Sequence, residues 1–166
     1  MRGFVYVLAT MAVSGMLIMG CEPAEPDDEA EDFETAIAPV WEAYQDTATA
    51  LSDDDAEAAR DEAERLRGAL ADADNAAALS EAVDEMIEAE DIEGMREAFE
   101  PVSIETRDLL AQADDDQLGP IYVLNCPMAF DDEGADWLHD TDEVANPYFG
   151  ETMFQCGDVA EILLED

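Results

Sequence analysis

Apolar residues recur at spacings of three and four along much of the chain, which predicts one buried face on each of several helices. Four such stripes cover about Phe33–Leu51, Ala56–Leu70, Ala76–Ala89 and Ile92–Leu110. The connections between them are short, so consecutive helices are expected to run antiparallel. The pattern predicts a mainly α fold, with an antiparallel four-helix bundle over residues 33–113.

Capping residues and prolines predict where these helices begin and break. Ser52 is expected to cap the second helix, and Asp91 the fourth, because their side chains can accept hydrogen bonds from free amide groups at a helix start. Pro39 lies inside the first stripe, so the regular helix is expected to begin there. Pro101 is expected to kink or split the fourth helix near Glu100.

The pattern changes after residue 113. An acidic run and Gly119-Pro120 break the helical period, and the β-branched and aromatic run Ile121–Leu124 predicts a short strand. Residues 119–166 are rich in Pro, Gly, Cys, Met and aromatic residues. This irregular C-terminal segment, with its short strand or hairpin, is too small to bury a core alone and is expected to dock on the helices. Together with 33–113 it forms one domain, 33–166.

The N-terminus has the layout of an export signal. Residues 1–20 carry one charge, Arg2, followed by an apolar run, which is typical of a secretory signal peptide. Ile18-Met19-Gly20-Cys21 resembles a lipobox, which predicts cleavage before Cys21 and lipidation of its thiol. The alternative is an uncleaved anchor helix with an incidental cysteine. Residues 21–32 are acidic, contain prolines and are expected to form a disordered tether.

These features predict an exported lipoprotein held at the membrane by its acyl chains, on the periplasmic face. Glu22 follows Cys21, where an aspartate would favour retention at the inner membrane, so the outer membrane is favoured.

The charge is strongly one-sided. The chain has 45 acidic residues and 6 basic ones, and the six basic residues are all arginine. The formal net charge is −39. No basic face exists to meet phosphates, which argues against nucleic-acid binding. Self-repulsion of this size is screened by salt, so a halophilic source or a saline destination is inferred. We interpret the acidic residues as a solvated surface. Weak, non-specific binding of cations by these residues is the alternative.

Soft donor atoms cluster in the C-terminal segment. Cys126-Pro-Met128 and Met153-x-x-Cys156 each pair a thiol with a thioether, donors that favour Cu(I). An extended backbone would place Cys126 and Met128 on one face, and a helical turn would do so for Met153 and Cys156. His139 could add a nitrogen ligand, although a surface histidine is the alternative.

The same two cysteines also suit a disulfide in an oxidising compartment, so Cys126–Cys156 is either a metal-binding dithiol or a disulfide. The aromatic residues Trp137, Tyr148 and Phe149 are expected in the core and not in a binding cage. No Ser/His/Asp arrangement and no phosphate-binding loop is evident, so an enzyme is not predicted.

Several motifs resemble the family catalogued as domain of unknown function 3347 (DUF3347). They are Asp54 to Ala63, Arg96-Glu97-Ala98-Phe99 with Ser103, Cys126-Pro-Met-Ala129, Ala135-Asp-Trp-Leu138, Asn146-Pro-Tyr-Phe-Gly150 and Met153-x-x-Cys156-Gly157. The resemblance covers roughly Trp41 to Gly157. It implies a helical domain that serves metal handling in the envelope, because family members occur as exported lipoproteins and on adaptor subunits of copper- and silver-type efflux pumps.

Two hypotheses about function follow. The first is a lipoprotein that binds or hands over soft heavy-metal ions, with copper as Cu(I), in contact with heavy-metal efflux components. Its ligands would be Cys126, Met128, Met153 and Cys156, with His139 optional. The second is a structural or partner-docking lipoprotein with a Cys126–Cys156 disulfide and no metal.

Overall fold

The computed structural model describes residues 28–73, 75–112 and 118–164, with side chains described from Ile37 onward except at position 72. The fold is mainly helical and ends in a three-stranded antiparallel sheet. The helices are α1 (Asp28–Ser52), α2 (Ala56–Ala69), α3 (Ala77–Glu88) and α4 (Ile92–Leu110). The strands are β1 (Ile121–Cys126), β2 (Ala135–His139) and β3 (Asp158–Leu164).

Two prolines lie inside helices that continue through them. Helix α1 starts at Asp28, so the prediction that the regular helix begins at Pro39 is wrong, and the first turn of α1 falls within the predicted tether of residues 21–32. Helix α4 runs through Pro101 without splitting. A proline removes one hydrogen bond from a helix, and burial of the apolar face on both sides of it outweighs that loss.

The predicted signal peptide, Cys21 and residues 21–27 of the tether lie outside the described residues. Within the described part of the chain, no helix is both long enough and apolar enough to cross a membrane.

The second helix is capped by a different residue from the predicted one. Ser52 ends α1, and its hydroxyl donates to the carbonyl oxygen of Thr49 over 2.8 Å. Asp55 caps α2 by accepting from the Ala58 amide at 3.0 Å. The chain turns between the helices through Asp54, whose φ of 58° is left-handed. The cap predicted at Asp91 is confirmed, since its carboxylate accepts from the Gly94 amide at 2.9 Å.

The sheet has the order β2-β1-β3, so the predicted strand is its centre. Strand β1 reaches Cys126, two residues beyond the predicted end, and pairs with β2 and β3 along its two edges. In the β1–β2 hairpin Cys126 is opposite Ala135 and Tyr122 is opposite His139. The third strand, which the sequence pattern did not indicate, closes the other edge.

One hydrophobic core connects the helices to the C-terminal segment. Each helix contacts the next along the chain, α1 also contacts α4, and β2 packs on α4. A chain of ring contacts runs through this core, with centroids 5.3 to 6.2 Å apart, in the order Trp41, Tyr44, Phe99, Tyr148, Trp137. The core positions predicted for Trp137 and Tyr148 are confirmed, and Phe149 is half-buried.

A hydrogen-bonded hydroxyl fixes the sheet on the helices. The buried Tyr44 hydroxyl is 2.8 Å from the Ser103 hydroxyl and accepts the amide of Leu138 at 3.0 Å. Burial raises the pKa of Tyr44 well above its usual range, so this hydroxyl stays neutral.

A buried guanidinium joins three separate parts of the chain, and we call this group the Arg96 junction. Arg96, on α4, is 9% exposed. Its Nη2 donates to the Leu51 carbonyl at 2.8 Å and to the Asp54 carboxylate, and its Nε donates to the Pro147 carbonyl at 3.0 Å. Asp54 also accepts the Glu151 amide at 3.0 Å. The α1–α2 turn and the C-terminal segment therefore meet at one side chain.

Gly150→Ala should destabilise the protein strongly, because no side chain fits at this point of the junction. Gly150 has φ +56°, and an added Cβ would lie 2.2 Å from Asp54 Oδ1 and 2.3 Å from Arg96 Nη2. We expect a loss of about 3 kcal/mol or more in the free energy of unfolding, measured by urea titration in high salt.

Gly68→Ala is the matched control. Gly68 lies within α2 and a Cβ there meets nothing within 4 Å. The same substitution should be neutral or should stabilise by about 0.5–1 kcal/mol. Equal effects of the two substitutions would show that the tight fit at Gly150 is unimportant.

Candidate functional site

Two thiols meet at the end of the sheet. Cys126 is the last residue of β1 and is fully buried, whereas Cys156 lies just before β3 and is partly exposed. Both are free cysteines. Asn125, just before Cys126, pairs with Asp158, two residues after Cys156, so the two thiols lie near each other. The neighbouring Cys126 thiol, and then partial burial, raises the pKa of the Cys156 thiol, which is therefore protonated at neutral pH.

A buried asparagine holds the Cys156 loop in place. Asn146 is 0% exposed, and its Nδ2 donates to the Cys156 carbonyl at 2.7 Å. Its Oδ1 accepts the amides of Tyr148 and Phe149 at 2.8 and 3.3 Å. The Asn146 side chain thus fixes the position of Cys156 through three hydrogen bonds, as expected of a buried polar group.

A glycine lets the loop approach the sheet. A Cβ on Gly157, whose φ is +148°, would lie 2.6 Å from the Trp137 ring and 3.1 Å from the Asn125 carbonyl. Only a residue without a side chain allows this approach. It places Cys156 beside the end of β1, where Cys126 lies.

The two methionines flank the thiol pair through their backbones. Met128 lies two residues after Cys126, and the Cys156 amide donates to the Met153 carbonyl at 2.9 Å. The extended Cys126-x-Met128 geometry predicted from sequence is wrong, because Met128 has φ −99° and ψ −6°. The strand ends at Cys126, and the Met128 side chain is 50% exposed. A turn joins Met153 and Cys156, but Met153, with φ −141° and ψ 50°, does not have the helical conformation that was predicted.

His139 is not brought to the thiols. It pairs with Tyr122, four positions along β1 from Cys126, which is roughly 13 Å at the rise of a strand. Its side chain is 26% exposed, and its Nδ1 accepts the Thr141 amide at 3.0 Å. The hypothesis that His139 adds a ligand to the same ion does not fit this register.

A groove opens on the exposed thiol. Its volume is about 390 Å³, and Asn125, Pro127, Cys156 and the start of β3 line it. Within the residues that the structure describes, no group of three or more His, Cys, Asp or Glu side chains is arranged to hold a metal ion.

A family comparison matches the helical half of the fold. Residues 40–117 match the family model described as "Protein of unknown function (DUF3347)". The segment of residues 40–117 belongs to the DUF3347 family. The matched segment contains Asp54, Arg96 and Ser103, so the family motifs noted in the sequence coincide with the Arg96 junction and the Tyr44 contact. The match ends before Cys126, so the DUF3347 assignment itself carries no information on the thiol pair.

No curated protein and no solved structure matches the chain significantly. Sequence reasoning missed the structural roles of Asn146 and Arg96. An arginine on the apolar stripe of a helix was the signal for the second, since a charged residue at a core position requires partners.

Asn146→Ala should loosen the Cys156 loop. The change leaves two amides and one carbonyl without their partner in a buried setting, so we expect a loss of about 2–3 kcal/mol in the free energy of unfolding. Urea unfolding in high salt measures it. Gln112→Ala, on an exposed side chain that donates only to the Asp108 carbonyl, is the control and should change stability by less than about 0.5 kcal/mol. A loss at Asn146 as small as that of the control would contradict its role.

Proposed function

We propose that this chain is an exported, lipid-anchored protein that binds soft heavy-metal ions, with Cu(I) as the ion and Cys126 and Cys156 as its thiolate ligands. The observation that carries the proposal is the proximity of the two thiols at the end of the sheet, one buried and one open to a groove. Met128 and Met153 supply thioethers from the flanking positions, and His139 takes no part.

The geometry supports chelation of a single ion. A metal–thiolate bond of about 2.3 Å places two ligand sulfurs no more than about 4.6 Å apart. The two cysteines flank the paired residues Asn125 and Asp158, so we expect a modest side-chain movement to bring their sulfurs to that spacing. Binding displaces the thiol protons, and the raised pKa of Cys156 makes this displacement harder in acid, so affinity falls as the pH falls.

The N-terminal sequence and the net charge support the proposed location of the protein. Cleavage before Cys21 and lipidation of that residue would hold the domain at the periplasmic face of a membrane, where efflux components that handle the same ions are its proposed partners. The four helices are proposed to form an antiparallel bundle, which is supported by packing between helices that are consecutive in the chain. The excess of acidic residues fits a saline environment. No enzymatic activity is proposed.

Replacing either cysteine should abolish tight Cu(I) binding. The measurement is competition with a chromogenic Cu(I) chelator, under anaerobic reducing conditions and in high salt. We expect one Cu(I) per chain, and a loss of more than about 100-fold in affinity for Cys126→Ser and for Cys156→Ser, because loss of supporting groups alone costs 10- to 100-fold.

His139→Gln is the control and should leave the affinity unchanged, since His139 lies at the far end of the sheet. Equal affinity of the wild type and the two cysteine variants would contradict the proposal. A protein isolated without free thiols, which binds no copper until it is reduced, would instead support the structural alternative, a Cys126–Cys156 disulfide.

A further inference from the structure

A second cavity lies away from the thiols, between α4 and the C-terminal segment. Its volume is about 290 Å³, near the lower end of the range of small-molecule sites. Three aromatic residues contribute to its wall: Phe130, Tyr148 and Phe149. Neither cysteine lines it, so it is separate from the proposed metal site.

Two of the rings form a corner of the cavity. The Phe130 and Tyr148 centroids are 5.4 Å apart and their planes are inclined at 70°. Tyr148 is fixed, because its hydroxyl donates to the Asp136 carbonyl at 2.5 Å and its ring also contacts Phe99 and Trp137. Phe130 is partly exposed. The Phe130 and Tyr148 rings therefore meet edge to face where they line the cavity.

Backbone strain places Phe130 in this wall. It belongs to the single turn Ala129–Asp132, in which Phe130 has φ 51° and ψ 59° and the next two residues also have positive φ. A left-handed conformation costs roughly 1–2 kcal/mol for a residue with a side chain. The fold therefore retains an unfavourable conformation at the residue that forms one side of the cavity.

The charges around the cavity favour a cation. Glu93 and Glu97 are exposed residues of α4, four apart and so on the same face of the helix, and both line the cavity. Arg96 also contributes to the wall, but its charge is offset by Asp54 in the junction. Two carboxylates thus remain to attract a positive ligand, in a chain with a net charge of −39.

We propose that this cavity binds a small organic ammonium ion, with the aromatic wall facing the cation and Glu93 and Glu97 supplying counter-charge. Aromatic faces attract ammonium groups through their negative quadrupole, and such contacts strengthen when water is excluded. A hard inorganic cation would gain little from phenyl rings, whereas an alkylated ammonium gains both apolar burial and the cation–π attraction. Phe149 and Tyr148, which the sequence placed in the core only, then also form part of a binding wall.

The experiment is a calorimetric titration of the full chain with choline chloride in about 1 M NaCl, where the Debye length of about 3 Å suppresses non-specific attraction to the acidic surface. The comparison ligand is dimethylbutanol, the uncharged carbon isostere of choline. We expect saturable binding of one choline per chain, and binding of the alcohol weaker by at least about 10-fold. Equal binding of the two ligands, or no binding of choline, would overturn the proposal.

Variants locate the site. Phe130→Leu and Phe149→Leu each keep an apolar side chain and remove a π face, and each should weaken choline binding by about 3- to 30-fold. Phe154→Leu is the control for them, because Phe154 is 38% exposed and lines a different surface depression. If one of the substitutions Phe130→Leu and Phe149→Leu impairs folding, the other still tests the aromatic wall.

The carboxylates are tested with a matched pair of double variants. Glu93→Gln with Glu97→Gln should weaken choline binding by about 10-fold or more, even at high salt. Glu81→Gln with Glu85→Gln removes the same charge at the same spacing from the exposed face of α3, and should have no effect. An equal loss in both double variants would show that net charge alone attracts the ligand, and would overturn the assignment to this cavity.

Discussion

The structure depends most on the buried guanidinium of Arg96. Removing a charge from water costs several kcal/mol unless close partners compensate, and Arg96 has a carboxylate and two carbonyls for this purpose. Each partner comes from a different place: the end of α1, the turn before α2 and the Asn146–Gly150 segment. The hydrogen bond from Arg96, and then the bond from the Glu151 amide, lower the pKa of Asp54, which therefore stays ionised as the partner of Arg96. Below the ordinary pKa of 3.8 the carboxylate is progressively protonated as the pH falls through its lowered value, and the stabilisation is lost.

The thiol pair is a consequence of that docking. Cys126 is held by the sheet, which is fixed to the helices through Tyr44 and Leu138. Cys156 is held by Asn146, which stands next to Pro147, the residue that accepts from Arg96. The two cysteines, thirty positions apart in the chain, meet only if both attachments form. One thiol is then buried and the other faces a groove, an asymmetry that suits the entry of an ion or an exchange partner from one side only.

The helices and the strand at the centre of the sheet could be predicted because their signals are local. The apolar stripes predicted the four helices. Asp91 could be predicted as a cap because the amide that it accepts, that of Gly94, lies only three residues further along the chain. The expectation at Pro39 was wrong, and α4 is not split at Pro101, since burial of the surrounding faces outweighs a local helix breaker. Ser52 does not cap α2, because it is the last residue of α1. Asp55 caps α2 instead.

The site could be predicted only in part, because sequence spacing does not give strand register. The two cysteine motifs were identified by their soft donors, and the structure brings the thiols together. His139 was grouped with them by proximity in sequence, yet β2 runs away from Cys126 and carries His139 to the far end of the sheet. Neither glycine nor asparagine occupies the left-handed positions 130–132, so the sequence does not indicate this turn. The cavity beside it is lined in part by residues of α4 that lie more than thirty positions earlier in the chain.

The most direct test of this account is the alkylation rate of each cysteine in native protein, with wild type compared with Arg96→Met in high salt. In the wild type, Cys156 should react readily and Cys126 should be protected by burial at the end of β1. In Arg96→Met, the helices should persist by far-ultraviolet circular dichroism while the C-terminal segment loosens, so Cys126 should become reactive at a rate close to that of Cys156. If Cys126 stays as protected in Arg96→Met as in the wild type, the Arg96 junction does not hold the C-terminal segment in place and the account is wrong.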